Sequence, residues 1–237
     1  LAKSLKAECS HSSLGIAHTR WATHGAVTVS NTHPHLSHNK KFALVHNGVI
    51  ENFSSLKNFL LKEGVQFYSD TDSEVLCNLI AYHYEQLPAG EDRFIDAVST
   101  ALGKSRGAYG IAVMCIDYPD MMVGARRGSP LVVGIGEDAN YIASDASAFV
   151  GRAKQAVFLK DGELAILQDG EFRITNQEGH DAEPVAQPLD QTLEEVELGD
   201  FGSYMEKEIY EQPTALSNTL RGRFGDDGTT AKLGGLQ

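Results

Sequence analysis

Four short polar stretches of the chain contain the side chains best suited to bind or activate a small molecule. Each is polar or strained and lies at an end of a predicted strand or helix, where a rigid scaffold presents binding groups. Taken alone, each also fits a structural role: Arg20 in an ion pair, Asn47-Gly48 in a turn and Asp72 as a helix N-cap. The stretches are residues 20–25, 46–48, 69–74 and 205–213.

Residues 19–38 form a long loop rich in His, Thr, Asn and Pro, and a loop of this length in a compact protein is usually functional. Its histidines His24, His33, His35 and His38 invite comparison with a metal site. Their spacing matches neither the His-x-x-x-His nor the Cys/His ligand pattern, and no acidic residue lies among them. We therefore expect no metal site.

The composition excludes several classes of protein. The 237-residue chain has a formal net charge of −12 and a pI near 5.1, unlike a protein that binds nucleic acid through phosphate contacts. No apolar run approaches the ~18 residues of a membrane-spanning helix, and no secretory signal pattern opens the chain. We expect a soluble, cytoplasmic protein that binds neither nucleic acid nor membrane.

The three cysteines, Cys9, Cys77 and Cys115, fit neither a disulfide framework nor a CxxC metal site, because their number is odd and their spacing wide. This usage is typical of a reducing compartment. Cys77 and Cys115 fall within a predicted helix and a predicted strand, so we expect buried, unreactive thiols. Because the sequence opens with Leu1 rather than Met, we expect further residues upstream in the intact protein.

The apolar pattern predicts strands on both sides of a helical region. Two buried strands cover residues 14–18 and 42–46, and a turn at Asn47-Gly48 is expected to end the second. Several later strands are apolar along their whole length, which indicates cover on both faces, so we expect sheets sandwiched between helices. The later strands are residues 109–115, 121–125, 131–135, 141–143, 156–159, 163–167 and 172–175.

Three helices are predicted between the early and the later strands. Asn52 is suited to cap the first, which Gly64 closes, and Asp72 can cap the second. The third covers residues 94–102. The C-terminal part is predicted as an acidic surface crossing (178–200), a helix interrupted by Pro213 (204–220) and a Gly- and Thr-rich linker (225–237).

The order and spacing of these stretches resemble the glutaminase domain of class II glutamine amidotransferases. The resemblance runs from about residue 15 to residue 220, and a match across so many segments is more specific than any single motif. Residues 207–213 resemble the glucosamine-6-phosphate synthase branch in particular. The matching segments are GIAHTRWATHG (15–25), HPH (33–35), VHNG (45–48), TD (71–72), RGAYG (106–110), GSPL (128–131), ASD (143–145) and MEKEIYEQP (205–213).

The resemblance implies an α+β protein with the N-terminal-nucleophile hydrolase fold, a four-layer αββα sandwich of two mainly antiparallel sheets and outer helices. It implies a glutaminase domain over residues 1–224 that lacks the N-terminal cysteine strand of the family. Residues 225–237 would then be a linker toward a sugar-isomerase domain of the same polypeptide. The intact enzyme is expected to be a homodimer.

In that family the nucleophile is a cysteine at the mature N-terminus, and its own α-amine, with a pKa of ~8, acts as the base. The thiolate would attack the side-chain amide of L-glutamine, release ammonia and leave a thioester that water hydrolyses to L-glutamate. None of the three cysteines is at a chain terminus, so we expect the nucleophile to lie outside the sequence. The resemblance implies no cofactor and no metal.

The remaining roles carry over from the resemblance residue by residue. Asn47, through its side-chain NH₂, and Gly48, through its backbone N–H, would form the oxyanion hole. Arg20 would fork onto the α-carboxylate of glutamine, and Asp72 would accept from its α-ammonium. These contacts would select a free amino acid over a peptide-bound glutamine.

Three further residues of the 20–25 stretch resemble family residues of the same pocket. Thr23 and His24 would line it, and Trp21 would lie on a mobile loop that covers glutamine, unless Trp21 is a plain hydrophobic anchor. The expected function is hydrolysis of glutamine, whose ammonia converts fructose 6-phosphate to glucosamine 6-phosphate for amino-sugar synthesis. Two alternatives stay open: a catalytically silent glutamine-binding module, and the glutaminase domain of an amidophosphoribosyltransferase or asparagine synthetase.

Overall fold

A computed structural model describes residues 13–19, 26–189 and 198–220. The chain divides into one unit that runs to Asp190 and another that begins at Gln191. The helices of the first unit are α1 (Phe53–Lys62), α2 (Asp72–Gln86) and α3 (Arg93–Lys104), with 3₁₀ helices at Val29–Asn31 and Ala146–Phe149. Its strands are β1 (His35–Leu36), β2 (Phe42–Ile50), β3 (Gly107–Cys115), β4 (Tyr118–Arg127), β5 (Val132–Gly136), β6 (Asn140–Ala143), β7 (Ala153–Phe158), β8 (Glu163–Gln168), β9 (Glu171–Asn176), β10 (Asp181–Ala182) and β11 (Ala186–Pro188).

The strands form two sheets, and every pairing between these named strands is antiparallel. The larger sheet has the order β1-β2-β3-β4-β8-β9-β10, and the smaller has the order β11-β7-β5-β6. Strand β3 pairs with β2 on one side and with β4 on the other, and the three helices lie in the connection between β2 and β3. The α+β class with two antiparallel sheets, predicted from the sequence, is confirmed.

Apolar clusters join the layers of this sandwich. The three helices pack on one face of the larger sheet, where Leu79 of α2 and Ile166 of β8 share a cluster. On the opposite face, Ala165 of β8 packs with Val133 of β5, so this cluster lies between the sheets. Phe149 of the second 3₁₀ helix packs on the outer face of the smaller sheet. Because β8 is buried on both faces, successive residues along it are apolar, as the sequence predicted.

Two local predictions near the polar stretches are wrong. Residues 14–18 do not form a strand, because they pair with neither sheet. Their side chains are alternately half-buried and exposed, and the half-buried Leu14 and Ile16 pack on the cluster between the sheets. Asn47-Gly48 is not a turn. The pairing of β2 with β3 continues through both residues to Ile50, with Gly48 opposite Tyr109. The acidic stretch also contains the short strands β10 and β11, which the pattern did not predict.

The two cysteines that the structure describes are buried and free, as expected. Cys77 lies in α2 and is 0% exposed, and Cys115 ends β3. Burial raises the pKa of both thiols, so neither is poised to react as a thiolate. Cys9 lies outside the described residues. The nucleophile of the resemblance is therefore not Cys77 or Cys115.

The second unit contains helix α4 (Tyr204–Leu220), at the position that the sequence predicted and with Pro213 inside it. The ring of Phe201 stacks on that of Tyr210, and Ser203 accepts from the backbone N–H of Glu206 in the first turn. Across the described residues of both units, no helix combines the length and the apolar character needed to span a bilayer.

Candidate active site

Among the described residues, no strand pairs with the C-terminal half of β2 on the side away from β3, because β1 pairs only with its N-terminal half; we call this side the open edge. Alternate backbone N–H groups of an antiparallel strand point to the same edge. The N–H of His46 donates to Nδ1 of His33 at 3.2 Å, and the N–H of Ile50 donates to Oδ2 of Asp72 at 2.7 Å. Gly48 lies midway between them in the same alternation. Its N–H is therefore directed at the open edge and away from β3.

Only glycine fits at position 48. Its φ of +129° belongs to a region that side chains disfavour, and a Cβ there would lie 2.2 Å from the carbonyl oxygen of Ala108 on β3. The neighbouring strand is equally restricted, since a Cβ on Gly110 would lie 2.9 Å from the carbonyl oxygen of Pro130. The Asn-Gly pair is typical of turns with a positive φ; Gly48 has the positive φ, but the predicted turn is wrong. Among the described residues, no side chain accepts a hydrogen bond from the Gly48 N–H.

The side chain of Asn47 is exposed beside this N–H. Along β2, Val45 packs into the cluster between the sheets and Leu44 into the cluster under the helices, so Asn47 shares the face of Val45. Its Oδ1 lies 2.7 Å from Nε2 of His18. Among the described residues, its Nδ2 has no hydrogen-bond partner. Asn47 and Gly48 thus offer two neighbouring N–H donors at one end of the strand.

Asp72 approaches the same strand end from the helical layer. It is the first residue of α2 and not its N-cap; Thr71 is the cap, and its hydroxyl accepts from the N–H of Glu74. The Asp72 side chain is 3% exposed, and one carboxylate oxygen accepts from the N–H of Ile50. The other oxygen has no hydrogen bond to a described residue. One buried carboxylate is thereby fixed two residues along β2 from the Gly48 N–H.

A buried polar network holds the loop that leads into α2. The carboxylate of Glu74 accepts from the backbone N–H groups of Tyr68 and Ser69 and from the Ser69 hydroxyl, at 2.7–2.8 Å. The Thr71 hydroxyl lies 3.0 Å from Nε2 of His35. These bonds tie the start of α2 to both the preceding loop and the histidine-rich segment. They fix the position of Asp72 at the strand end.

The residues that hold Asp72 and Asn47 in place were not predicted from the sequence. The Thr-x-x-Glu spacing of Thr71 and Glu74 is a capping-box pattern and could have identified both. Here Glu74 reaches the loop before the cap instead of the cap itself. The partners of His18, His33 and His35 are 29, 13 and 36 residues away in sequence, and no local pattern predicts such pairs.

No group of three or more His, Cys, Asp or Glu side chains among the described residues is arranged to hold a metal ion. A hollow of about 90 Å³ next to the strand end is lined by His18, Asn47 and Ser144, among others. A larger hollow of about 500 Å³ lies at the other end of β2, lined by Lys41 and Ile116, and contains none of the predicted site residues. The smaller hollow is the better candidate, because Asn47 and its partner His18 both border it.

The structure brings Asn47, Gly48 and Asp72 together at the C-terminal end of β2, although Asp72 is 25 positions from Asn47 in sequence. The other predicted site residues, Arg20, Trp21, Thr23 and His24, lie outside the described residues. Their predicted roles stay predictions.

Comparisons with known proteins give the chain a family context. Residues 6–161 match the model of a family described as "Glutamine amidotransferase domain". Proteins named glutamine–fructose-6-phosphate aminotransferase [isomerizing] are similar: that of Aquifex aeolicus is 45% identical over 211 residues, covering 88% of this chain and 34% of the relative. That of Chlorobaculum tepidum is 43% identical over 224 residues, covering 94% and 36%. The chain thus spans about a third of the length of these relatives.

A solved structure shares the fold. Glutamine phosphoribosylpyrophosphate amidotransferase from B. subtilis, complexed with ADP and GMP, superposes with a TM-score of 0.54 and 29% identity. The superposition covers 68% of this chain and 34% of that one. The α+β sandwich is therefore that of an amidotransferase.

Proposed function

Because the chain belongs to the glutamine amidotransferase family, we propose that its site hydrolyses the side-chain amide of L-glutamine to L-glutamate and ammonia. One observation carries the proposal: the Asn47 amide and the Gly48 N–H form a pair of donors at an open strand end. Two such donors are what an acyl-transfer site needs to stabilise the oxyanion of its tetrahedral intermediate.

The proposed reaction begins with the thiolate of an N-terminal cysteine of the complete protein. Sulfur adds to the amide carbon, and the carbonyl oxygen becomes an oxyanion bound by Asn47 Nδ2–H and Gly48 N–H. The C–N bond breaks, and ammonia leaves with the proton that the α-amine took from the thiol. Water then adds to the thioester carbon, and glutamate leaves as the thiolate reforms.

We propose that two charged side chains recognise the substrate. The Asp72 carboxylate accepts from the α-ammonium of glutamine, and Arg20 forks onto the α-carboxylate. Thr23 and His24 line the pocket, and Trp21 lies on a segment that covers it. The fixed position of Asp72 supports this assignment, because a buried carboxylate that has one oxygen on a backbone N–H cannot swing away from the ligand.

In the complete protein, we assign residues 1–224 to this domain and residues 225–237 to a linker toward a sugar-isomerase domain. Ammonia then aminates fructose 6-phosphate to glucosamine 6-phosphate, and the protein acts as a cytoplasmic homodimer. The relatives named for fructose 6-phosphate favour this acceptor over phosphoribosylpyrophosphate, since they are 43–45% identical and the phosphoribosylpyrophosphate enzyme is 29% identical.

Three measurements on the complete protein test the proposal. Intact mass with N-terminal sequencing should find a processed terminal cysteine. An assay with glutamine alone should release glutamate, and one with fructose 6-phosphate added should form glucosamine 6-phosphate. Glutamine binding without glutamate release would leave the silent binding module, whereas amination of another acceptor would leave the glutaminase and overturn the sugar-phosphate assignment.

A further inference from the structure

His18 contacts the group on which the oxyanion hole depends. Its Nε2 lies 2.7 Å from Oδ1 of Asn47. The Asn47 side chain is exposed, and the last torsion of an asparagine has a broad, roughly twofold preference. Without a partner, the amide could present either its oxygen or its nitrogen to a ligand. The residue that fixes this torsion therefore decides whether Asn47 offers a donor.

The surroundings of His18 indicate which of its nitrogens carries the proton. Nδ1 is buried and has no hydrogen-bond partner among the described residues. A buried N–H without an acceptor is rarer in proteins than a buried acceptor without a donor. In the neutral ring, Nδ1 therefore holds the lone pair and Nε2 holds the proton. Nε2–H then donates to Oδ1 of Asn47, and both hydrogens of Asn47 Nδ2 stay available.

A second histidine holds the His18 ring in place. The rings of His18 and His33 stack with their centroids 4.2 Å apart and an angle of 28° between their planes. Nδ1 of His33 accepts from the backbone N–H of His46, the residue before Asn47. The two stacked rings are thus bonded to two successive residues of β2. The ring that orients the Asn47 amide is anchored to the same strand as the amide.

We propose that His18 is a positioning residue that donates Nε2–H to Asn47 Oδ1 and so presents Asn47 Nδ2–H to the oxyanion. This inference rests on the proposed function, because it gives the oriented amide its purpose. His18 does not touch the substrate and transfers no proton. It acts through Asn47 alone.

Three substitutions in the complete protein separate the hydrogen bond from the bulk of the ring. In His18→Gln, the side-chain amide nitrogen reaches near the position of Nε2; in His18→Asn, it reaches only the position of Nδ1. We expect His18→Asn and His18→Ala to lower kcat for glutamate release about 10- to 100-fold with KM unchanged, less than the roughly 10²–10³-fold loss of a whole donor. His18→Gln should keep most of the activity. Equal losses in the Gln and Asn variants would overturn the proposal.

A double-mutant cycle excludes a merely structural role. If His18 acts through the amide, His18→Ala should have no further effect on kcat in an Asn47→Ala background. Additive losses would contradict the proposal. His180→Ala, which removes an exposed histidine at the turn between β9 and β10, is the matched control and should leave kcat unchanged.

The tautomer of His18 can be measured by NMR without any turnover, so this test is independent of the proposed function. In the complete protein labelled with ¹⁵N-histidine, the His18 signals are those that disappear in His18→Gln. They should show a protonated Nε2 and an unprotonated Nδ1. The opposite tautomer would overturn the inference even if the enzyme is active. A wild-type protein that releases no glutamate would overturn the proposed function, and the tautomer would still decide whether His18 donates to Asn47.

Discussion

At the N-terminal end of β2, polar side chains form hydrogen bonds with one another. At its C-terminal end, N–H donors remain without a partner among the described residues. The Lys41 ammonium and the Tyr84 hydroxyl both bind Oδ2 of Asp117, at 2.7 and 2.9 Å. At the other end, the Gly48 N–H points to the edge that β1 leaves unpaired, and Asn47 Nδ2 has no hydrogen-bond partner among the described residues. We call the bonded groups at the N-terminal end the closed network. We call the C-terminal end, with its unbonded donors, the open end.

The closed network is explained by structure alone. Hydrogen bonds from Lys41 and then from Tyr84 hold the pKa of Asp117 below its usual range, and Asp117 in turn raises the pKa of Lys41. The guanidinium of Arg93 lies 4.0 Å from the centre of the Tyr84 ring and donates to the Tyr84 carbonyl. Each of these groups is bonded to another group of the fold.

The open end keeps its donors because other residues do the structural bonding. His33 and Asp72 accept from the N–H groups on either side of Gly48, so the strand is held without the Gly48 N–H. His18 takes the oxygen of the Asn47 amide and leaves its nitrogen. The difference between the two ends shows what marks a binding site. The mark is a set of donors that remain free after the bonds that hold the strand are formed, and not the number of polar residues.

The largest effect is expected from Gly48→Ala. The added Cβ would meet the Ala108 carbonyl oxygen at 2.2 Å and stand at a φ that alanine disfavours, so β2 must shift. Glutaminase activity should fall to background, and strain of about 1–3 kcal/mol should lower the melting temperature. Gly64→Ala also has a positive φ but no neighbour within 4 Å, so it should cost stability without abolishing activity.

Asn47→Ala should remove one oxyanion donor and little else. We expect kcat to fall by roughly 10²–10³-fold, with KM for glutamine nearly unchanged. Because the side chain is exposed, the melting temperature should move by less than in Gly48→Ala. Steady-state assays with calorimetry check both parts. A fall in melting temperature that matches the loss of activity would show that Asn47 is structural.

Asp72→Asn should weaken glutamine use by removing charge alone. Asparagine keeps an oxygen for the Ile50 N–H, so the fold should be retained. Loss of a charge-assisted bond to the α-ammonium, about 1.5–3 kcal/mol, predicts a drop in kcat/KM of roughly 10- to 100-fold. Asp72→Ala should add a stability loss, because it leaves the Ile50 N–H without its acceptor. Unchanged kcat/KM in both variants would refute the assignment.

Arg20→Ala should weaken glutamine use severely as well, through loss of the bidentate contact with the α-carboxylate. Its effect should be mainly on KM, and Arg20→Lys should recover only part of it, because an ammonium cannot form the paired bonds. Assays with glutamine and with glutaminamide, in which an amide replaces the α-carboxylate, check this. A variant that loses discrimination between them supports the role, and one that keeps it contradicts the role.

The smallest effect is expected at the closed end. Asp117→Asn should leave glutaminase activity unchanged and lower stability at neutral pH by about 0.5–1 kcal/mol, as an exposed pair does. Because the pKa of Asp117 is lowered in the fold, its contribution is present above the unfolded pKa and lost as pH falls through the folded one. The wild-type advantage over Asp117→Asn should therefore vanish in acid.

Much of the architecture could be predicted from the sequence, because its causes are local. The apolar runs of β3 to β9, the helix that follows Asn52 and the burial of Cys77 all follow from pattern and periodicity. The Asn47-Gly48 pair was misread as a turn, since a local signal cannot show that β3 continues to pair beyond it. The register of the whole of β2 against β3 determines this pairing, and the Asn47-Gly48 dipeptide does not.

The candidate site could be predicted only in part. The resemblance named Asn47, Gly48 and Asp72, and these three do meet at one strand end. It gave no hint of what holds them, because His18 and His33 reach β2 through space rather than through sequence. Periodicity reports burial, whereas these bonds depend on how a loop returns across the sheet.

The decisive experiment is a structure of the complete protein with L-glutamate bound. We expect one side-chain carboxylate oxygen of the ligand within ~2.7–3.1 Å of both Asn47 Nδ2 and Gly48 N, with the α-ammonium on Asp72. Glutamate bound elsewhere, for example in the hollow beside Lys41 and Ile116, would contradict it. A Gly48 N–H that donates to another protein group while glutamate is bound would contradict it too.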